Sequence, residues 1–328
     1  MSNDVPNNNM PNSLENIPSI GSEWTGELGM HYGKYFNSLI PSDYPGYEMV
    51  KYFIPRGASV LEIGCSHGNF TEQLSEHVGD EGWVVGTDIS SDALGQAYKK
   101  LSGKNNVSLF QVNNARTVSE TRAEQGELSP NEVDKRLPLK FFLGDEVFDR
   151  AVMTFIDPVL DISQLNEVIR GVYTALKPGG SVIFFRLNPD VIMSASSSYR
   201  YYGERYPVDV NKKGRIEDGD LFRHELTSKD GDKITLLDHY YSTHYMRNML
   251  FDAGFDTRNF NVYSLTRSMN NGVGEVINNA LNTIKVLVPD AEFIDEWGED
   301  SGNSLYQVIV AHKPHITRPL RLPKNLEF

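Results

Sequence analysis

A doubly wound α/β fold around a largely parallel sheet is the architecture this sequence predicts, and three observations predict it. Short β-rich runs at Ser59–Ile63, Trp83–Thr87, Val107–Val112, Asp149–Met153 and Ser181–Phe185 alternate with helical patterns. The clearest helical pattern sets Leu165, Val168, Ile169, Val172, Tyr173 and Leu176 on one face and stops at Lys177-Pro178-Gly179-Gly180. The first strand runs straight into a glycine-bearing turn, Gly64-Cys65-Ser66-His67-Gly68, and a helix beginning near Phe70.

Taken in order, residues 1–20 are Asn- and Pro-rich with too little apolar surface to offset the entropy of ordering, so disorder is expected there. Residues 21–53 carry Trp24, Tyr32, Tyr35, Phe36, Tyr44 and Tyr47 and are expected to form a helical cap. The sheet core is expected over 54–190 and 236–313, interrupted by a polar, Tyr-rich insertion at 191–235 with hairpins, a substrate lid, and followed by a tail at 314–328. A helix carrying Tyr245, Met246, Met249 and Leu250 ends at Gly254, which suits a left-handed cap. A strand near Asn261–Leu265 follows, and the last strand, Leu305–Ala311, arrives without a crossover helix just before it. That points to antiparallel insertion at the sheet edge.

Charge narrows the function. The 328 residues carry a net charge of −13 with a pI near 5.1, the wrong sign for tracking a phosphate backbone, so nucleic acid is not an expected partner. Cys65 is the sole cysteine, which rules out an intrachain disulfide and a cysteine-rich metal site. No signal-peptide pattern opens the chain and no apolar run reaches membrane-spanning length, so a cytoplasmic protein is expected.

The chemistry begins at Val60-Leu61-Glu62-Ile63-Gly64-Cys65-Ser66-His67-Gly68-Asn69-Phe70. Gly64 and Gly68 let backbone approach a ligand with no Cβ in the way. Trp83-Val84-Val85-Gly86-Thr87-Asp88 ends a strand in a carboxylate, placed to accept from two ribose hydroxyls. A dinucleotide fingerprint needs G-x-G-x-x-G for its pyrophosphate, and here the middle glycine is Ser66. A ligand with adenosine and ribose but no pyrophosphate satisfies both observations, and a nicotinamide oxidoreductase is disfavoured.

VLEIGCSHGNF resembles the first motif of class I S-adenosylmethionine-dependent methyltransferases, and Asp88 matches that family's acidic ribose motif. Phe110–Ala115, Phe148–Asp157, LKPGGSVIFF and Leu250–Phe255 are similar to its later motifs, in the family's order. The resemblance implies a Rossmann-like seven-stranded sheet with an antiparallel last strand, and S-adenosyl-L-methionine as cofactor. It implies that Glu62, Gly64, Cys65, Gly68 and Phe70 border the methionine portion and its turn. Asp88 would hold the ribose with Ile89 against the adenine, Asn113, Asn114 and Ala115 would border the base, and Thr154 and Phe155 would lie beside the sulfonium. Asn113 or Asn114 stands where the family carries an acid, and its side-chain carbonyl can still accept from the adenine amino group.

The substrate side is expected at the carboxyl ends of the fourth and fifth strands, with Tyr32, Asp157, Asn188, Tyr202 and Tyr240 as candidate substrate contacts. His239 and Tyr35 are the candidate catalytic side chains, His239 as general base; its alternative is a structural histidine. His239 and His244 are five apart, which does not stack them on one helical face, so no metal is expected. Tyr202-Gly203, Asp218-Gly219, Asp238-His239-Tyr240 and Gly254-Phe255 resemble small-molecule methyltransferases of the toxoflavin-forming type. With no base securely placed by sequence, the expected reaction is methyl transfer to a nitrogen of a small-molecule metabolite. An O-methyltransferase and a non-catalytic S-adenosylmethionine-binding protein are the alternatives, and a homodimer is an allowed assembly.

Overall fold

A computed structural model describes residues 45–112, 144–189, 204–207, 217–227, 233–265 and 306–315. Chain order begins α1 (Pro45–Tyr52), β1 (Ser59–Ile63), α2 (Asn69–Val78), β2 (Trp83–Asp88), α3 (Ser91–Leu101), β3 (Val107–Gln111) and β4 (Phe148–Thr154). A short 3-10 turn at Asp157–Val159, α4 (Ile162–Ala175) and β5 (Leu176–Leu187) follow. Then come β6 (Glu204–Pro207), β7 (Leu221–Thr227), β8 (Lys233–His239), α5 (Thr243–Asp252), β9 (Asp256–Leu265) and β10 (Tyr306–His312). Seven strands make one sheet in the order β3-β2-β1-β4-β5-β10-β9, and β6-β7-β8 make a separate antiparallel sheet.

Strands β1 to β5 pair in parallel and are apolar on both faces, as a sheet covered by helices on both sides requires. Alternation along β5 shows the two layers. Phe184 packs with Leu165, Val168 and Val172 of α4 and Met246 of α5, while Phe185 packs with Tyr47 and Val50 of α1 and Phe70 and Leu74 of α2. Side chains also choose the helix starts. Asp161 and Gln164 form a reciprocal capping box on α4, and Ser90 and Ser242 cap α3 and α5.

Two expectations change. The last strand is antiparallel, pairing with β5 and β9, but it lies between them, and β9 takes the edge. Val308, Ile309, Val310 and Ala311 are all buried, so β10 has no face or side suited to water. Lys177–Gly180 ends the helix as read, yet these residues already belong to β5. They form its bulge, where pairing with β4 jumps from Phe148↔Leu176 to Arg150↔Ser181.

Gly254 has φ +105, and a Cβ there would lie 2.9 Å from the Tyr173 ring. Gly254→Ala should destabilise the fold by ~1–2 kcal/mol in urea denaturation, and an unchanged midpoint would show that Tyr173 yields freely.

Candidate functional site

Strand order reverses between β1 and β4. The chain steps outward from β1 to β2 and β3 on one side, and from β4 to β5 on the other. A crevice opens at the carboxyl ends of strands at such a switch point. Its two walls touch: a Cβ built on Gly64, after β1, would sit 2.3 Å from Ile156 Cδ1, after β4.

Glu62 forms the floor. It is buried at 2 % exposure, and Thr71 Oγ1 donates to its Oε2 at 2.6 Å. Burial pushes its carboxyl up to about 7; the Thr71 bond pulls it back in part and the neighbouring Asp88 adds to the rise. Burial, and to a lesser degree Glu62, raises the phenol of Tyr47, whose ring stacks on Phe70 at 4.2 Å, so α1 closes over this end of α2. Asp88 ends β2 and is organised by backbone: Ser66 N–H donates to Oδ2 at 2.8 Å and Ser90 N–H to Oδ1 at 2.9 Å. Burial raises Asp88, and these backbone donors offset part of that rise. Each oxygen keeps a lone pair for a further donor.

Backbone strain gathers at the same crevice. Ser66 has φ 48 and Phe155 φ 54, left-handed values that side chains rarely adopt. Ser66 therefore reproduces the backbone of the glycine it replaces, held by Asp88 through its N–H and contacting His67 Nδ1 through Oγ at 3.1 Å. Phe155 is fixed by its N–H on Phe185 O (2.8 Å) and by the Phe185 ring 5.0 Å away.

The residues expected from sequence distribute unevenly. Glu62, Gly64, Asp88, Ile89, Thr154 and Phe155 all lie at the carboxyl ends of β1, β2 and β4, with Ile89 held by Gln111 Nε2 through its carbonyl. Cys65 turns its thiol into the small cluster of Leu94, Ala97, Leu101 and Leu109, leaving only backbone for a ligand. Phe70 is a core side chain, and Gly68 is favoured by its left-handed φ of +75 and by packing, since a Cβ there would sit 2.9 Å from Leu101 Cδ1 and 3.1 Å from Ala97 Cβ. Asp157 and Asn188 are buried beyond β4 and β5, and the Tyr240 ring leans on Phe222 at 6.3 Å. Asn113, Asn114, Ala115, Tyr32, Tyr35 and Tyr202 lie outside the described residues.

Sequence reasoning missed Arg186. It is the penultimate residue of β5 and faces Asp157, with Nε and Oδ2 3.0 Å apart, and Nη2 donates to Tyr241 O at 2.6 Å. A lone cation closing the apolar run SVIFF was the available signal.

The expected cofactor fits these residues. Glu62 is a buried carboxyl that no cation neutralises among the described residues, and an ammonium group would. Thr154 Oγ1 is buried with no hydrogen-bond partner among the described residues, beside Phe155.

Two predictions follow from this geometry. Asp88→Ala should weaken S-adenosylmethionine binding at least ~10-fold, because it removes charge-assisted acceptors; a change under threefold in calorimetry would remove Asp88 from the site. The second concerns pH. Folded Glu62 keeps its proton up to about pH 7, whereas the unfolded chain loses it from the ordinary 4.5. The folded apoprotein thus holds extra proton between those values, and its stability should fall as pH rises through that window, by up to ~3 kcal/mol. Glu62→Gln should flatten that slope in denaturation series at pH 5 and 8, and saturating cofactor should flatten it in the wild type. A slope identical in wild type and Glu62→Gln would assign the proton elsewhere.

Comparison with known proteins agrees with this geometry. Residues 61–182 match a family model described as a methyltransferase domain. The ubiquinone/menaquinone biosynthesis C-methyltransferase UbiE of Klebsiella pneumoniae is 26% identical over 217 residues, 65% of this chain and 71% of that one. UbiE of Pectobacterium carotovorum is 24% identical over 211 residues, 63% and 70% of the two chains. The solved CcbJ methyltransferase from Streptomyces caelestis aligns at 16% identity with a TM-score of 0.49, over 87% of this chain and 99% of that one. Residues 61–182 thus form a methyltransferase domain spanning the β1-to-β5 crevice, and the enzyme is an S-adenosylmethionine-dependent methyltransferase whose motif order resembles the class I family.

Proposed function

We propose that the enzyme methylates a small molecule whose acceptor group first gives up a proton to His239. One observation carries this reading. His239 Nδ1 lies 3.0 Å from the Gly219 carbonyl oxygen, which can only accept, so Nδ1 bears the proton and Nε2 a lone pair. Nε2 is buried and has no hydrogen-bond partner among the described residues. A satisfied structural histidine would have spent both nitrogens.

His239 ends β8, and its ring lies 6.2 Å from that of Tyr241, whose carbonyl Arg186 holds at the end of β5. This is the substrate side of the crevice by the family's plan. When bound, S-adenosylmethionine supplies a methyl group activated by a positively charged sulfur. The chain's own residues do the rest. Glu62 and Asp88 orient the cofactor, the apolar walls at Ile156, Phe155 and Phe185 keep water out, and His239 removes the acceptor's proton.

A nitrogen acceptor was expected because no base was placed; a base with an open lone pair supports a hydroxyl oxygen instead, or a carbon made nucleophilic by an adjacent hydroxyl. The carbon alternative draws support from the UbiE relatives, named as C-methyltransferases. The net charge of −13 supports a metabolite over nucleic acid.

The test is S-adenosylhomocysteine formation against a panel of phenols, enols and amines across pH. His239→Ala should lower kcat ~10²–10⁴-fold with cofactor affinity unchanged, and should abolish the acidic limb of the profile. A loss below ~10-fold with that limb intact would restore the nitrogen expectation.

A further inference from the structure

Arg186 has a donor that the fold does not use. Its guanidinium is 3 % exposed and the Asp157 carboxyl 1 %. Nη2 donates to Tyr241 O. Nε pairs electrostatically with Asp157 at 3.0 Å without the alignment of a hydrogen bond. Nη1, with two N–H groups, is buried and has no partner among the described residues. A buried charged donor is among the costliest groups to leave unpaired, so its retention needs an explanation.

Place and neighbours supply one. Arg186 follows Phe185 in β5 and shares the face of Phe184, so it lies at the carboxyl edge of the sheet on the α4/α5 side. Tyr241 is the hub of this corner. Arg186 binds its carbonyl, its O–H donates to Leu160 O at 2.7 Å, and the His239 ring lies against its ring at 28°. Asp157 also feels the charge of Asp238, the residue before His239. An unused strong donor and an unused acceptor thus border one tyrosine, where a parallel sheet receives ligands.

We propose that Arg186 Nη1 is the oxyanion-recognising group for the acceptor, so that the substrate class is a phenol or enol rather than an amine. This rests on His239 as the base. The hydroxyl proton passes to His239 Nε2, the O–H electron pair stays on oxygen, and Nη1 donates to that oxygen. Asp157 already balances Arg186, so the corner stays neutral throughout: one anion and one imidazolium replace two neutral groups. An amine acceptor would present hydrogens or positive charge to Nη1 and be repelled, which makes Arg186 a specificity determinant as well.

The probe is 4-nitrophenol, whose phenolate absorbs visible light and whose phenol does not. It is added to the full chain with S-adenosylhomocysteine, at a pH where the free probe is mostly protonated, with 4-nitroanisole as the control lacking a hydroxyl. The wild type should generate a saturable phenolate band that 4-nitroanisole does not produce. Arg186→Met should weaken that band ~10-fold or more while calorimetry shows unchanged S-adenosylhomocysteine binding. Should Arg186→Met fail to fold, Asp157→Asn decides: it frees the guanidinium of its counter-charge and should tighten nitrophenolate binding by ~3-fold or more. No band in the wild type, an unchanged band in folded Arg186→Met, or no tightening in Asp157→Asn would each overturn the proposal. His239→Ala reports separately on the base. Failure there with the Arg186 dependence intact overturns the base and not the oxyanion contact, and cofactor binding is read independently in every sample.

Discussion

The site depends on one constraint of the sheet. β1 and β4 lie side by side, but the helices that follow them leave for opposite faces, α2 packing with Phe185 and α4 with Phe184. Two parallel strands whose exits diverge leave their carboxyl ends uncovered, and that gap is where a ligand can meet backbone. Gly64, at φ +74, and Ile156 approach across it so closely that any side chain in place of the glycine hydrogen would have to displace Ile156. Ser66 and Phe155, the strained residues of the two walls, sit within two residues of that contact. Strain at both lips and nowhere else along these two turns suits a binding site better than a folding defect.

Charge follows the same geometry. The floor of the gap carries Glu62 and Asp88, both raised by burial and both acceptors of hydrogen bonds from their surroundings. Burial of two carboxyls stores unfavourable energy that a bound cation releases. The cofactor brings a cationic ammonium and two ribose hydroxyls, which matches the deficit at each acid. If the cofactor's ammonium docks on Glu62 as the family resemblance implies, stability lost in the apoprotein is recovered as affinity, and the pH behaviour of Glu62 reports on ligand recognition.

How far the sequence could be read differs by element, for physical reasons. β1 to β4 were legible because each is a short apolar run bounded by turn residues, and the helix over α4 because its apolar face repeats regularly. The antiparallel sense of β10 could be inferred from the missing crossover. Its position between β5 and β9 could not, since pairing across more than a hundred residues leaves no local mark. Glu62 and Asp88 were visible because motif spacing fixes them to strand ends. Cys65 and Phe70 share that motif but serve the core, because strand and helix periodicity turns alternate side chains away from the crevice. Tautomer and burial of His239 are properties of the fold alone: the nitrogen left open depends on a carbonyl twenty residues earlier, at Gly219.

The Asp157–Arg186 pair shows why such a corner needs a functional account. A buried ion pair seldom contributes net stability over a well-packed apolar pair, because desolvation consumes most of the Coulombic gain. Here the pair is not even aligned as a hydrogen bond, and the guanidinium leaves one nitrogen unpaired among the described residues. Docking Tyr241 accounts for a single N–H, and the tyrosine is already anchored through its hydroxyl to Leu160. An apolar pair at 157 and 186 would avoid that desolvation cost. What the arginine offers instead is a fixed, planar donor whose charge Asp157 balances until an anionic oxygen arrives, beside a histidine whose lone pair can make that anion. On the proposed roles of Arg186 and His239, recognition and deprotonation belong to one event, and the acidic hydroxyl they require would set the class of molecule methylated.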